Sequence, residues 1–399
     1  RRQRQMCIRD SESTQMVALN ILYNVGARDE DPEHTGFAHL FEHLMFGGSA
    51  HIPDYDTPLQ LAGGENNAWT NNDITNYYLT VPKPNVETAF WLESDRMLEL
   101  AFSEQSLEVQ RGVVMEEFKQ RCLNQPYGDV GHLFRPLAFR VHPYRWPTIG
   151  KELSHIEQAT LDEVKSFFYR FYAPNNAVLA VTGNISWDET VKLTEKWFAP
   201  IPRRNVPVRQ LPQEPEQTQE RRLTVERNVP LDALFMGYHM CSREGADYYA
   251  FDILSDILSN GRSSRLNQHL VQEKQLFSSI DAYISGTLDA GLFHISGKPA
   301  AGVSLEEAEA AVREELNELQ SALIQEQELE KVKNKFESTQ IFGNINYLNV
   351  ATNLAWFELT GKAEDIDLEV ERYRSVTTEQ LHTAVSYTHL RAHETDQYL

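Results

Sequence analysis

Apolar and polar residues alternate over residues 15–25, the period of a strand lying in a sheet, and the run stops at Gly26. Residues 35–46 are apolar nearly all round a helix and close on Gly47-Gly48, a usual helix stop. Residues 61–73, rich in Gly and Asn, predict a turn region, and residues 76–81 a strand. Helices follow over 85–101, 103–122 and 160–171, the last opened by Thr160 and Glu163 in capping-box spacing. Residues 177–183 form a short apolar strand. Residues 199–222 hold five prolines and no apolar period, the composition of a linker. Beyond it the pattern predicts a strand over 233–240 and a helix over 247–260. Strands near 278–285 and 292–297 precede long helices, one of them opened by Ser304 and Glu307. Helical runs mixed with hairpin-like strands point to α+β halves rather than alternating βαβ units.

The halves resemble each other. Phe37-Ala-His-Leu-Phe-Glu-His-Leu-Met-Phe-Gly47 lines up with Phe251-Asp-Ile-Leu-Ser-Asp-Ile-Leu-Ser-Asn-Gly261, and residues 159–164 line up with 376–381 at nearly the same offset. In the second copy Ile253, Asp256 and Ile257 stand where His39, Glu42 and His43 stand in the first. Any metal chemistry is expected in the first half alone.

The 399 residues carry a formal charge of −21, which argues against a nucleic-acid partner, since that needs a basic patch. No stretch approaches the apolar length of a membrane-spanning helix. Cys7, Cys122 and Cys241 are far apart and form neither a CxxC pair nor a disulfide framework. Residues 1–11 and 385–399 show neither a helical nor a strand period. They resemble translated adapter sequence and are set aside as non-native ends. The expected organisation is a catalytic half over 12–198, a linker over 199–222 and a similar metal-free half over 223–384.

The sharpest chemical feature is His39-Leu40-Phe41-Glu42-His43. Histidines four apart on a helix project from one face, one turn apart, which suits two ligands of a tetrahedral zinc ion. Glu42 lies beside the second histidine and can take a proton from metal-bound water. The ordinary alternative is a hydrogen-bonded pair of core histidines beside an unremarkable carboxylate. A catalytic site also needs a third ligand and an open position. The helix over 103–122 offers Glu116 and Glu117, and spacing alone does not choose between them or require either.

Around this motif the chain resembles the inverted-motif zinc peptidases of the pitrilysin/insulinase type, among them the mitochondrial processing peptidases. Gly36-Phe-Ala-His39, Gly63-Gly64, Asn67-Ala68-Trp69-Thr70, Asp73, Thr75 and Tyr77 carry the resemblance. So do His142-Pro143-Tyr144, Pro147, Gly150 and Tyr172-Ala-Pro-Asn-Asn176. The resemblance implies two similar halves, each an antiparallel-rich sheet packed against helices. It implies one zinc ion held by His39, His43 and Glu117, with Glu42 as the general base. It further implies that Glu65, Asn66, Asn67, Ala68, Trp69 and Thr70 form an exposed edge strand that takes a peptide or unfolded substrate as an added strand. The activity expected is zinc-dependent endopeptidase action on short or unfolded polypeptides. Family analogy and sparse cysteine together point to the cytoplasm.

Two positions depart from the family pattern. An accessory Glu two turns before the third ligand is Gln110 here. An Arg and a Tyr, seven apart in the metal-free half, are here Val271 and Ser278, and neither can make a charge-assisted contact with an oxyanion. A sister subunit is therefore expected to supply that pair in a heterodimer, with a homodimer as the other arrangement. The competing functional readings are a non-catalytic assembly subunit and a metal-binding scaffold without peptidase activity.

Overall fold

The computed structural model describes the backbone of residues 5–10, 14–391 and 395–398 and the side chains of residues 14–386. The first half runs β1 (Gln5–Asp10), β2 (Met16–Tyr23), α1 (Phe37–Leu44), α2 (Asp56–Leu61), β3 (Glu65–Thr70), β4 (Thr75–Pro82) and α3 (Val86–Leu98). It continues through α4 (Glu104–Phe118), α5 (Val130–Ala138), α6 (Leu153–Glu157), α7 (Leu161–Phe171), β5 (Ala177–Gly183) and α8 (Trp187–Phe198). The second runs β6 (Arg221–Thr224), β7 (Leu234–Met240), α9 (Tyr248–Ser259), β8 (Phe277–Ile284) and β9 (Gly291–Pro299). It ends with α10 (Leu305–Ser321), α11 (Glu326–Gly343), α12 (Tyr347–Thr360), α13 (Glu369–Arg374), α14 (Thr378–Arg391) and β10 (Thr395–Tyr398).

The sheets establish the duplication. One is ordered β1-β5-β2-β4-β3 and the other β6-β10-β7-β9-β8, so each strand has a counterpart in the same place. In each, one pair is parallel, β1 with β5 and β10 with β6, and the rest are antiparallel. The helix starts repeat as well. Thr160 Oγ1 accepts from the Glu163 amide while Glu163 accepts from the Thr160 amide, and Thr377 and Gln380 make the same reciprocal pair.

The halves are not cut only at the linker. One compact unit comprises residues 1–123, 146–212 and 341–367; the other comprises 124–145, 213–340 and 368–399. Helix α12, from the second half of the sequence, thus belongs to the first unit, and α5 to the second. In the first unit, Val17, Leu19, Ile21 and Tyr23 of β2 face the main core with α1, α3 and α7. Ala18 and Leu22 face Val350, Ala351, Leu354 and Ala355 of α12. Both faces of β2 are covered, so the expected alternation is corrected: Met16–Tyr23 is apolar except at Asn20, as a strand buried on both faces requires. In the second unit, Phe134 of α5 presses on the sheet at Gly237, where a Cβ would lie 2.6 Å from its ring. The expected single division at 199–222 therefore becomes two units with exchanged segments.

Three further expectations are corrected. Residues 61–73 hold an ordered strand, β3, because pairing with β4 outweighs the low strand propensity of Gly and Asn. The stretch 199–222 is tied down. Arg209 meets Asp29 Oδ2 at 3.0 Å in the first unit, and in the second the Glu214 carboxylate accepts from the Arg140, Val141 and His142 amides at 2.7–3.0 Å. The end tracts also join regular structure: residues 5–10 pair with β5, and residues 395–398 lie between β6 and β7. Ladder pairing sets such strands without needing an apolar period. Among the described residues Cys122 and Cys241 are free thiols; the side chain of Cys7 lies outside them. No described helix is long and apolar enough to cross a membrane.

Candidate active site

Helix α1 is two turns long and starts at Gly36, whose φ of +88° suits glycine and whose Cβ would meet Ile156 Cδ1 at 2.6 Å. Phe37, Ala38, Leu40, Phe41 and Leu44 are buried against the sheet and α7. That burial fixes the rotation of the helix and turns His39 and His43 toward α4. Their rings are 4.9 Å apart and perpendicular. From α4, Glu117 Oε2 lies 3.4 Å from His39 Nε2 and 3.3 Å from His43 Nε2.

These distances bear on the two readings of the histidines. Charge-assisted N–H···O hydrogen bonds run at about 2.7–2.9 Å. A tetrahedral ion with bonds of about 2.0–2.1 Å keeps its ligand atoms about 3.3 Å apart. Glu117 Oε2 stands at the second spacing from both imidazole nitrogens, and the three ligand atoms all lie within 4.8 Å of one another. Burial pushes His39 down to about 4, against the pull of Glu117, so its imidazole stays neutral as a metal ligand requires. His39 Nδ1 is buried without a hydrogen-bond partner among the described residues, and Nε2 is the nitrogen turned toward Glu117. The donor set therefore fits a zinc ion.

The choice between the adjacent acids is settled by their surroundings. Glu116 is exposed and paired with Lys119 Nζ at 2.6 Å, while Glu117 faces the histidines. Arg121, in a π-helical turn over Lys119–Leu123, holds Glu117 Oε1 at 2.8 Å and leaves Oε2 for the histidines. Sequence reading missed Arg121, although the i,i+4 spacing of the pair was its signal. Glu42 is partly buried. Burial raises its carboxyl above the usual range, while the Thr70 hydroxyl and the His43 imidazole oppose that rise.

Strand β3 is the sheet's edge, bonded to β4 alone among the described strands, and it packs beside α1. Its residues divide between the two faces. Ala68 joins the core on the α1 side, and Thr70 reaches Glu42. Asn66 Nδ2 donates to Asp56 at 2.9 Å, and Asn67 Oδ1 accepts from the Ala68 amide at 2.8 Å. Glu65 is exposed. Trp69 packs with α12 on the opposite face, because successive side chains alternate across a strand, so what this residue offers at the edge is its backbone. Gln110 lies half-buried on α4, and Glu108 pairs with Arg111. In the second unit Val271 packs at the edge of the apolar core, and Ser278 Oγ donates to the Lys298 carbonyl at 3.0 Å.

Residues 5–129 match the insulinase profile of peptidase family M16, and residues 158–336 match the peptidase M16 inactive domain. The zinc protease PqqE of Helicobacter pylori is 30% identical over 327 residues, spanning 80% of this chain and 73% of that protein. A crystal structure of a protease from Helicobacter pylori superposes with a TM-score of 0.90 at 26% identity, covering 97% of this chain and 94% of the other. Pitrilysin shares the fold with a TM-score of 0.78 at 17% identity, and the match spans 98% of this chain but 43% of pitrilysin. The chain belongs to the insulinase family, peptidase family M16, as a half-size member.

Proposed function

We propose that this chain is a zinc-dependent endopeptidase acting on short or unfolded polypeptides, with His39, His43 and Glu117 as zinc ligands and Glu42 as general base. The observation that carries this reading is the pair of contacts of 3.4 and 3.3 Å from Glu117 Oε2 to the two imidazoles. They leave room for an ion and are too long for hydrogen bonds. Zinc in this position supplies Lewis acidity, polarising the scissile carbonyl and making water acidic enough to lose its proton near neutral pH. The chain's own residues do the rest. Glu42 accepts the proton of the attacking water and returns it to the leaving amine. The free edge of β3 offers backbone N–H and C=O groups to an extended peptide, which reads conformation more than sequence. Asn66, Asn67, Ala68 and Thr70 border that path, with Glu65 and Trp69 contributing backbone.

The Arg/Tyr pair that the family pattern places in the metal-free half is absent at Val271 and Ser278. We therefore propose that a sister subunit completes the site in a heterodimer. Full turnover by the isolated chain would refute this pairing.

Glu42→Gln tests the catalytic reading. The variant should keep one zinc per chain and lose about 10³-fold in peptide hydrolysis, within the range of a lost general base. Unchanged hydrolysis would remove Glu42 from the role. Zinc retention with no cleavage in wild type or any subunit mixture would favour the assembly-subunit reading.

A further inference from the structure

Helix α1 has no side-chain cap of its own: Gly36 occupies the N-cap. Its first-turn amides are satisfied from elsewhere. The Gly36 amide donates to Glu30 Oε2 at 2.9 Å and the Ala38 amide to Glu30 Oε1 at 2.8 Å. Trp146 Nε1 donates to Glu30 Oε2 at 3.2 Å and to the Ala27 carbonyl at 3.0 Å. Both oxygens of one buried carboxyl are thus engaged by three N–H donors, and Glu30 is 6% exposed. Burial pushes this carboxyl up to about 8, with the three donors opposing. An acid held against that cost has to be explained.

The anchored amide of Ala38 immediately precedes His39 and lies one helical turn before Glu42. A helix of only two turns has few other bonds to fix its axial position. The surrounding loop is locked as well: Thr35 Oγ1 accepts from the Lys151 amide at 2.7 Å and meets His155 Nδ1 at 2.9 Å.

We infer that Glu30 is a positioning residue for the candidate metal centre. Its two-oxygen cap sets the height of α1 so that the His39 and His43 nitrogens reach ligand spacing from Glu117. This rests on the zinc reading above. The chemistry demands a carboxyl, because an amide offers one acceptor oxygen and would turn its NH₂ toward one of the N–H donors. Ligand constellations tolerate displacements of about 0.5 Å, so a small shift of this turn is enough to matter.

The test is Glu30→Gln in the full-length chain, read by zinc affinity in chelator competition and by the visible absorption of the cobalt-substituted protein. Zinc affinity should fall about tenfold or more, the range seen when residues supporting metal ligands are lost. The cobalt bands should shift as the ligand geometry loosens, which a loss of global stability alone would not produce. Should Glu30→Gln fail to fold, Glu30→Asp keeps the carboxyl, withdraws both oxygens by one methylene, and is read the same way. A wild-type chain that binds zinc tightly while the folded variant shows the same affinity and cobalt spectrum would overturn the Glu30 assignment alone. A wild-type chain that binds no zinc would overturn both this assignment and the zinc reading.

Discussion

Helices α1 and α9 hold the same place in two copies of one fold, yet they solve opposite problems. Both lie buried against the sheet of their own half, and the sheets have the same strand order. At the positions of His39 and His43, α9 carries Ile253 and Ile257, each about as buried as a residue can be and surrounded by apolar neighbours. At the position of Glu42 it carries Asp256, which takes a local hydrogen bond from Asn260 Nδ2 at 2.7 Å. The second copy is the fold with its core completed. The first is the same fold with three core-adjacent positions given to polar groups, one of which, His39, keeps a buried nitrogen with no partner among the described residues. Function here lies in the substitutions and not in the architecture.

The most severe way to break that difference is to write α9 into α1. His39→Ile with His43→Ile should abolish zinc binding and all detectable cleavage. It should also make the metal-free protein more stable by about 1–3 kcal/mol, because the buried His39 imidazole, whose Nδ1 has no partner among the described residues, and the half-buried His43 imidazole are replaced by isoleucine. Zinc content by elemental analysis and thermal melting in chelator check both halves of this expectation. A loss of apo stability would mean that the imidazoles are structurally satisfied after all.

A narrower cut removes only the carboxylate. Glu117→Gln should weaken zinc binding by about a hundredfold, the upper range for loss of support around a metal. Glu116→Gln, one residue away but paired with Lys119 in solvent, should leave zinc affinity within twofold. Isothermal titration with zinc on both variants decides it, and equal losses from the two would reject Glu117 as the ligand.

Much of this contrast was legible in sequence. The strands at 177–183 and 234–240, the helix carrying the two histidines and the repeat itself follow from periodicity and from the missing histidines of the second copy. The choice of Glu117 over Glu116 was not readable from spacing, because both lie on a largely polar helix; it required the rotation of α4 against α1. The exchanged helices α5 and α12 were invisible for a different reason. No helix was predicted over 130–138, and nothing local tells a helix which sheet it will cover. Glu30 was missed because its partners, Gly36, Ala38 and Trp146, contribute N–H groups, which leave no mark in a side-chain pattern. The packing of Trp69 against α12 was not readable either, because an edge strand named for its backbone leaves open which face each side chain takes.

The reverse transplant separates architecture from chemistry. Ile257→His places an imidazole in the second core without a carboxylate positioned to complete a site. It should cost about 2–4 kcal/mol from lost apolar burial and an unsatisfied polar group. Zinc stoichiometry should stay at one per chain. A second bound zinc would show that the fold, and not the ligand set, confers the site.

The second half already contains a half-buried histidine that can stand as a control. His294 on β9 stacks on Tyr283 at 4.7 Å, and its Nε2 meets Ser285 Oγ at 3.0 Å. No metal-ligating cluster among the described residues includes it. Burial pushes it down to about 3, helped by the nearby Arg135. Its folded value thus lies below the unfolded value of about 6.5. Between these values the unfolded chain binds the extra proton, so stability is fully present above pH 6.5 and is lost as pH falls, at about 1.4 kcal/mol per pH unit for this one group. His294→Phe should flatten that part of the profile, measured as denaturant midpoints from pH 7 to pH 5. His239, also held down by burial, is the other group in that half able to contribute. If the slope survives His294→Phe unchanged, the acid sensitivity belongs to His239 or to the first half. In the first half, zinc bound at His39 and His43 would oppose protonation and shift the loss to lower pH. Repeating the titration with and without chelator separates the halves: a chelator-dependent slope belongs to α1 and a chelator-independent one to the metal-free copy.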